Sequence, residues 1–343
     1  MAWKGRGALA VAILAVVLVP LLALLAGWYV VVWTAPYAVP NLKIKVVEGS
    51  GRDALVSGLA EAVKEGRPLL VRNGVSHWPA FKKWKDLAYL EDTVGKNEPV
   101  VLQTGVQEQR NIPFVETTFH AFVEWLKGHP GLEDVREYQQ LTGLLYYIAE
   151  EFDFLERKPK LYEDLNNLTD FDQLSKNMVG GNKFGNFETA FWMGGAGART
   201  GWHYDYDYSF NVLCHLKGEK RVYLASPTES KHLYPSTDRF DPGAILSSVN
   251  FWEPDNSTYP LYRNIQVEEV NVRPGDAFFI PAGYWHAVES LSTSISVSVR
   301  MMPKYLWAIN GVDRLLETLH YLNLYNPKKG SVEKGERVKV REL

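Results

Sequence analysis

The stretch GWHYDYDYSFNV, residues 201–212, places a histidine and two carboxylates among aromatic residues. Because residues i and i+2 of a β-strand point to the same face, His203 and Asp205 would present an imidazole and a carboxylate side by side. Charged groups are rarely buried without a partner, and a metal ion would be such a partner. Two protein ligands hold a metal weakly, so this hypothesis requires a third ligand from elsewhere in the chain.

The stretch GDAFFIPAGYWHAVES, residues 275–290, offers that third ligand. Its apolar strand is followed by an Ala282-Gly283 turn and by His286 at the beginning of the next strand, which predicts a hairpin that returns the histidine toward the first strand. Two histidines and one carboxylate on one face leave coordination positions open, as in mononuclear non-haem Fe(II) centres. The HYD triplet alone is a weak signal; the second motif makes the pattern informative.

Short runs rich in β-branched and aromatic residues surround both motifs. They are FETAFWMGG, FNVLCHL, KRVYLAS, DAFFIPAG and TSISVSV, and Gly, Pro and Asp separate them. Many short strands with turn residues between them predict an antiparallel sandwich or jelly roll, so the predicted fold class is mainly β with flanking helices. The alternation in TSISVSV predicts one small polar face and one apolar face.

Helical patterns lie on both sides of this β region. Residues 52–66, 82–94, 117–128, 160–165 and 303–325 predict helices, and residues 68–74 predict a strand closed by an Asn-Gly turn. The predicted units are 1–33, a cytosolic stub and transmembrane signal anchor; 34–50, a juxtamembrane linker; 51–182, an N-terminal α/β part; 183–302, the jelly-roll core; and 303–343, a C-terminal helix and charged tail.

Composition excludes some classes of function. The net charge of −3 over 343 residues gives no electrostatic basis for nucleic-acid binding. Cys214 is the single cysteine, so no intrachain disulfide and no cysteine-based zinc site can form.

The N-terminal segment predicts a membrane anchor. The uncharged apolar run from Ala8 to Trp33 exceeds the roughly 20 residues that span a bilayer, and Lys4 and Arg6 precede it. The positive-inside tendency then predicts a single-pass type II membrane protein whose main domain is lumenal, in the endoplasmic reticulum or another endomembrane. A long cleaved signal peptide is the alternative. Two glycosylation sequons, at Asn167 and Asn256, are compatible with a lumenal domain.

Three motifs together resemble a known family. W-H-Y-D, then K-G-E-K-R, then P-G-D-x-x-F-I-P-x-G-Y-W-H-A-V-E-S is similar to the JmjC and cupin-like Fe(II)- and 2-oxoglutarate-dependent oxygenases, in particular to the asparaginyl hydroxylase that inhibits hypoxia-inducible factor. The resemblance is strongest from residue 184 to residue 300. It implies a double-stranded β-helix with Fe(II), 2-oxoglutarate as cosubstrate, and dioxygen.

The resemblance also implies roles for individual residues. The implied catalytic and metal-binding residues are His203, Asp205 and His286, and the implied 2-oxoglutarate-binding residues are Lys220, Thr200, Asn211 and Tyr147. Three alternatives stay open: Tyr146 or Tyr138 in place of Tyr147, Asp207 as a carboxylate beside the site, and Arg300 either at the position of a polar amide of the family or as a surface strand end.

The implied reaction is hydroxylation of a protein or peptide side chain, coupled to decarboxylation of 2-oxoglutarate to succinate. The alternatives are a JmjC-type N-methyl-lysine demethylase, which uses the same chemistry, and a catalytically inactive jelly roll that acts as a membrane-tethered binding module. The leucine-rich C-terminal helix predicts either packing on the barrel or a homodimer.

Overall fold

The structure is a computed structural model, and it describes a defined part of the chain. The described residues are 17–29, 43–104, 106–107, 114–128, 146–151, 153–176, 178–179, 188–205, 209–236 and 244–303, together with residues 312, 315 and 319.

Most helices lie in the first half of this part. They are α1 (Val19–Tyr29), α2 (Arg52–Glu65), α3 (Pro79–Lys83), α4 (Leu87–Val94), α5 (Phe119–Leu126), α6 (Phe154–Arg157), α7 (Pro159–Asp164), α8 (Asp172–Ser175) and α9 (Ser230–Leu233).

The strands of the N-terminal part are β1 (Lys45–Glu48), β2 (Leu69–Arg72), β3 (Pro99–Thr104), β4 (Val106–Gln107), β5 (Phe114–Thr118), β6 (Tyr146–Glu151) and β7 (Met178–Val179). Those of the barrel are β8 (Glu188–Gly194), β9 (Arg199–Asp205), β10 (Phe210–Lys217), β11 (Lys220–Ala225), β12 (Ala244–Leu246), β13 (Glu268–Val272), β14 (Ala277–Ile280), β15 (Trp285–Ser290) and β16 (Ser294–Pro303).

Two sheets face each other. The major sheet has the order β1-β2-β14-β10-β16-β8-β6-β3-β5, and the minor sheet has the order β12-β9-β15-β11-β13. All pairs between barrel strands are antiparallel. This confirms the predicted mainly β, jelly-roll fold with flanking helices. The N-terminal part adds strands to both edges of the major sheet, β1 and β2 beside β14 and β6, β3 and β5 beside β8.

The alternation in β16 explains how the major sheet is buried on both sides. Ile295, Val297 and Val299 belong to the large core between this sheet and the helices. Ser294, Ser296 and Ser298 lie on the other face, toward the minor sheet, and are at most 1% exposed. The predicted polar face of this strand is therefore not a solvent face; it lines part of the barrel interior.

The helix predicted over residues 82–94 is wrong as one element, because α3 and α4 are separate. The Asp86 side chain accepts a hydrogen bond from the Ala88 amide and so begins a second helix within that segment. The Asn-Gly turn after β2 is present, with Asn73 at a φ of 53°.

The predicted anchor and the predicted C-terminal helix lie largely outside the described residues. Of the apolar run over residues 8–33, the structure describes residues 17–29. Within the described part of the chain, no helix has the length and apolar character needed to cross a membrane. Of residues 303–325, only residues 303, 312, 315 and 319 are described, so the dimer stays a prediction.

Candidate metal centre

The structure brings His203, Asp205 and His286 together in the barrel. His203 and Asp205 lie two residues apart on β9, and His286 on β15 is directly opposite His203 in the strand register. One potential ligand atom from each residue lies within 4.8 Å of those of the other two. The three residues are 4–5% exposed, so the cluster is closed to bulk water.

Both histidines are held in a defined tautomer by a backbone carbonyl two residues earlier in the chain. His203 Nδ1 lies 2.9 Å from the Gly201 carbonyl oxygen, and His286 Nδ1 lies 3.0 Å from the Tyr284 carbonyl oxygen. A carbonyl can only accept a hydrogen bond, so each Nδ1 carries the proton and donates it. Each Nε2 is left with a free lone pair, which is the arrangement that a metal ligand requires.

The protonation states also suit a metal. Burial, with the neighbouring His286 as a second cause, lowers the pKa of His203 to about 3, and burial lowers the pKa of His286 below its ordinary value. Burial alone would raise the pKa of Asp205, but the Arg300 guanidinium outweighs it and lowers that pKa. At neutral pH the cluster therefore offers two neutral imidazoles and one carboxylate.

Asp205 is held from the opposite sheet. Arg300 Nη2 donates to Oδ1 at 3.1 Å, and Asn211 Nδ2 donates to Oδ2 over a long 3.4 Å. Arg300 is 5% exposed, so its interpretation as a surface strand end is wrong. Asn211 contacts the metal-site carboxylate in this structure, and its predicted role in binding the cosubstrate stays a prediction.

A β-bulge brings Thr200 to the interior face. Strict alternation would place it opposite to His203, three residues away on the same strand. However, His203 pairs with His286 while Thr200 pairs with Val288, so β9 has one extra residue between the two pairs. The bulge shifts the alternation, and Thr200, which is 3% exposed, shares the face of the histidines.

Lys220 lies at the other end of the interior. It pairs with Ser290, which shares a face of β15 with His286. Lys220 is 2% exposed, and its Nζ donates to the Tyr147 hydroxyl at 3.2 Å. Among the described residues, no carboxylate lies within ion-pair distance of this ammonium, and burial lowers its pKa to about 7.

The same contacts distinguish the candidate tyrosines. The Tyr147 ring lies 5.4 Å from Lys220 Nζ, whereas the Tyr146 ring packs edge-on against Trp125 with 4.9 Å between centroids. Tyr147 can approach because it is in register with Gly194, where a Cβ would lie 2.5 Å from the tyrosine ring. Tyr138 and Asp207 lie outside the described residues.

The aromatic residues near the motifs divide between the two faces of the minor sheet. Trp202, Tyr204 and Trp285 belong to an apolar cluster with Leu233 and Ile245, away from the triad. Tyr284 joins the apolar wall of the interior, and the Trp192 ring lies 5.9 Å from Lys220 Nζ. The sequence motifs did not tell which aromatic residues face the interior and which face the outer cluster. The faces of β9 can be assigned only once its pairing with β15 is known.

These residues fit Fe(II) and 2-oxoglutarate. Imidazole nitrogen and carboxylate oxygen in a two-to-one ratio are the donor set of non-haem Fe(II) centres. A buried ammonium without a carboxylate partner is suited to receive an anion, and Lys220 is such a group.

A second cluster has metal-ligand types but a different charge balance. Glu91, His120 and Glu124 meet on the N-terminal part. Lys127 Nζ lies 2.8 Å from a Glu124 carboxylate oxygen and 3.7 Å from one of Glu91, so these carboxylates already have a cation beside them.

Comparisons with known proteins identify the family of this domain. Residues 56–301 match the family of the cupin-like domain. The chain is 29% identical over 239 residues to Jumonji C domain-containing protein 5 of Drosophila melanogaster, covering 68% of this chain and 54% of that protein.

Two further relatives are JmjC domain-containing protein D of Dictyostelium discoideum, 30% identical over 69% of this chain and 52% of the relative, and Lysine-specific demethylase JMJ31 of Arabidopsis thaliana, 27% identical over 70% and 46%. The chain thus spans about half the length of the curated relatives that it matches.

Proposed function

The chain belongs to the family of cupin-like domains, and on that basis we propose that it is an Fe(II)- and 2-oxoglutarate-dependent dioxygenase that hydroxylates a side chain of a protein or peptide. The observation that carries the proposal is the buried cluster of His203, Asp205 and His286, with all ligand atoms within 4.8 Å. Lys220 at the far end of the same interior supports the choice of a dicarboxylate cosubstrate.

His203 Nε2, His286 Nε2 and the Asp205 carboxylate would hold Fe(II). Lys220 would bind the distal carboxylate of 2-oxoglutarate, with the hydroxyls of Tyr147 and Thr200 as neutral hydrogen-bond donors beside it. Bound Fe(II) would supply the oxidation chemistry, in which dioxygen, 2-oxoglutarate and a substrate C–H group become carbon dioxide, succinate and a C–OH group.

The residues of this chain orient the reactants and exclude water. The carbonyls of Gly201 and Tyr284 fix the imidazole rings. Leu213, Val222, Leu224 and Phe278 form part of an apolar wall inside the barrel. Such a wall keeps water from the reacting groups and strengthens the interaction between Lys220 and a bound carboxylate.

A small cavity of about 30 Å³ marks a candidate place at which a substrate side chain would approach the metal site. Its lining includes Leu224, which pairs with His286 across the strands, and Tyr284, whose carbonyl holds His286. Gln266 lies exposed at its rim. We expect Gln266→Trp to slow oxidation of a peptide substrate while leaving 2-oxoglutarate affinity unchanged.

The test of this function uses the full-length protein. We expect one Fe(II) per chain, conversion of 2-oxoglutarate to succinate that requires Fe(II) and dioxygen, and a gain of one oxygen atom in a peptide substrate measured by mass spectrometry. If the wild-type protein binds no metal at this site, the proposed dioxygenase activity is refuted, and the inactive binding module is the alternative that is left.

A demethylase is the second candidate, because one relative carries that name. Hydroxylation of an N-methyl group gives an unstable product that releases formaldehyde, so formaldehyde produced in step with succinate from methylated peptides would favour it. A stable gain of one oxygen atom without formaldehyde would favour the hydroxylase.

Membrane anchorage and a lumenal domain remain part of this proposal. They rest on the apolar run over residues 8–33 and on the charges before it. Protection of the C-terminal domain from added protease in sealed microsomes would support them, and cleavage without detergent would refute the lumenal side.

A further inference from the structure

The three predicted metal ligands are not held in the same way. The imidazoles of His203 and His286 each donate to a carbonyl two residues back in the chain. The Asp205 carboxylate, in contrast, accepts hydrogen bonds from Arg300 and Asn211 of the facing sheet. The position of this one ligand therefore depends on how the two sheets are packed.

Arg300 and Asn211 act on the carboxylate from adjacent strands. They are cross-strand partners between β16 and β10, and both face the barrel interior. One donates to Oδ1 and the other to Oδ2. On its other side, Arg300 is in register with the half-buried Glu188 of β8. The Arg300 side chain is therefore buried between the two sheets and is not a mobile surface group.

A guanidinium has a planar and rigid donor set, so it fixes the direction of the oxygen that it contacts. With Oδ1 held by Arg300, the carboxylate would have to rotate and give up that bond before both oxygens could face one ion. We propose that Arg300 is a positioning residue, which orients the Asp205 carboxylate so that it ligates the metal through a single oxygen. This inference rests on the proposed metal site.

Positioning and simple charge have opposite effects on metal affinity. A nearby cation repels a divalent metal ion, so an Arg300 that acted only by its charge would weaken metal binding, and its removal would tighten it. A residue that orients a ligand does the reverse, and loss of such supporting contacts typically weakens metal binding about 10- to 100-fold.

The experiment measures Co(II) binding to the full-length protein, together with the ligand-field absorption spectrum of the bound ion. Arg300→Gln removes both the positive charge and the planar donor set of the guanidinium. Arg300→Lys keeps the positive charge but removes the planar donor set. The matched control is Arg199→Gln, because Arg199 Nη2 also lies 3.1 Å from a carboxylate oxygen, that of Glu289, but its side chain is 40% exposed.

We expect both Arg300 variants to raise the Co(II) dissociation constant about 10- to 100-fold and to change the spectrum, since the carboxylate would no longer be held in one orientation toward the ion. Arg199→Gln should leave the Co(II) dissociation constant within twofold of the wild-type value and the spectrum unchanged. Arg300→Lys is the variant expected to fold in any case, because it keeps a cation beside the buried carboxylate.

The result that would overturn the inference is an Arg300→Lys protein with wild-type affinity and spectrum, or an Arg300→Gln protein that binds Co(II) more tightly. An equal loss in Arg199→Gln would also overturn it. Failure of the wild type to bind Co(II) would refute the proposed metal site itself, so the two failures are distinguishable.

Discussion

The two ends of the barrel interior differ in how their charges are balanced. At the metal end, the Asp205 carboxylate faces the Arg300 guanidinium at 3.1 Å, and both imidazoles have carbonyl partners. At the other end, the Lys220 ammonium has a phenol hydroxyl as its partner and no carboxylate among the described residues. The metal end is therefore preformed without a ligand, whereas the protonated form of Lys220 carries an unbalanced charge that an anionic ligand would compensate.

The largest expected effect is at the metal end. His203→Ala removes one of the three predicted ligands. Metal analysis should then find no stoichiometric Fe(II), and an assay for succinate should find no product. His120→Ala is the control, because His120 belongs to the second cluster of ligand-type residues. The comparison would be wrong if His120→Ala lost the metal and His203→Ala retained it.

The second prediction concerns the stability of the metal-free and cosubstrate-free protein. Burial lowers the pKa of Lys220 from its ordinary 10.5 to about 7, so the folded state binds fewer protons than the unfolded state between these values. The free energy of unfolding should then rise with pH across that window, by at most about 5 kcal/mol from this group.

Lys220→Met should lack this rise, which denaturant unfolding at several pH values can measure. The variant should be more stable than the wild type near neutral pH, and the difference should shrink toward pH 10.5. Parallel pH profiles for the two proteins would show that the ammonium is not buried as described.

The third prediction concerns affinity for 2-oxoglutarate. Lys220→Ala should keep the metal and weaken cosubstrate binding about 10- to 100-fold, as expected for loss of a hydrogen bond to a charged group. Lys217→Ala, close by on the same hairpin, is the control, because its Nζ donates to the Lys85 carbonyl instead. Isothermal titration with the metal-loaded protein would measure both, and unchanged affinity in Lys220→Ala would assign the role to another group.

The smallest effect is expected at Thr200. Loss of one neutral hydrogen bond costs about 1 kcal/mol, so Thr200→Val should weaken 2-oxoglutarate binding about fivefold. Thr189→Val is the matched control, since Thr189 is also buried but its hydroxyl has no hydrogen-bond partner among the described residues. A larger loss in the control would mean that Thr200 matters through packing alone.

Local pattern was enough to predict part of this site. His203 and Asp205 follow from the two-residue period of a strand, and the alternation in β16 gave its two faces correctly. The placement of Thr200 could not follow from the same rule, because the bulge in β9 becomes visible only in its pairing with β15.

Contacts between distant segments were beyond the sequence pattern. Arg300 reaches a carboxylate 95 residues away, and Lys220 meets a hydroxyl 73 residues away. For Lys220 and Tyr147, a family resemblance supplied what periodicity could not. For Arg300 the resemblance left two alternatives open, and no sequence pattern linked it to Asp205. A single charged residue at the end of the alternating run within β16 was a signal that could have raised the question.

The most direct test is a crystal structure of the full-length protein loaded with Co(II) and 2-oxoglutarate, with the metal located by anomalous scattering. Our account predicts a single ion in the barrel, ligated by Nε2 of His203, Nε2 of His286 and one oxygen of Asp205, with the cosubstrate directed toward Lys220. An ion at Glu91, His120 and Glu124, or a barrel that remains without metal at saturating Co(II), would contradict it.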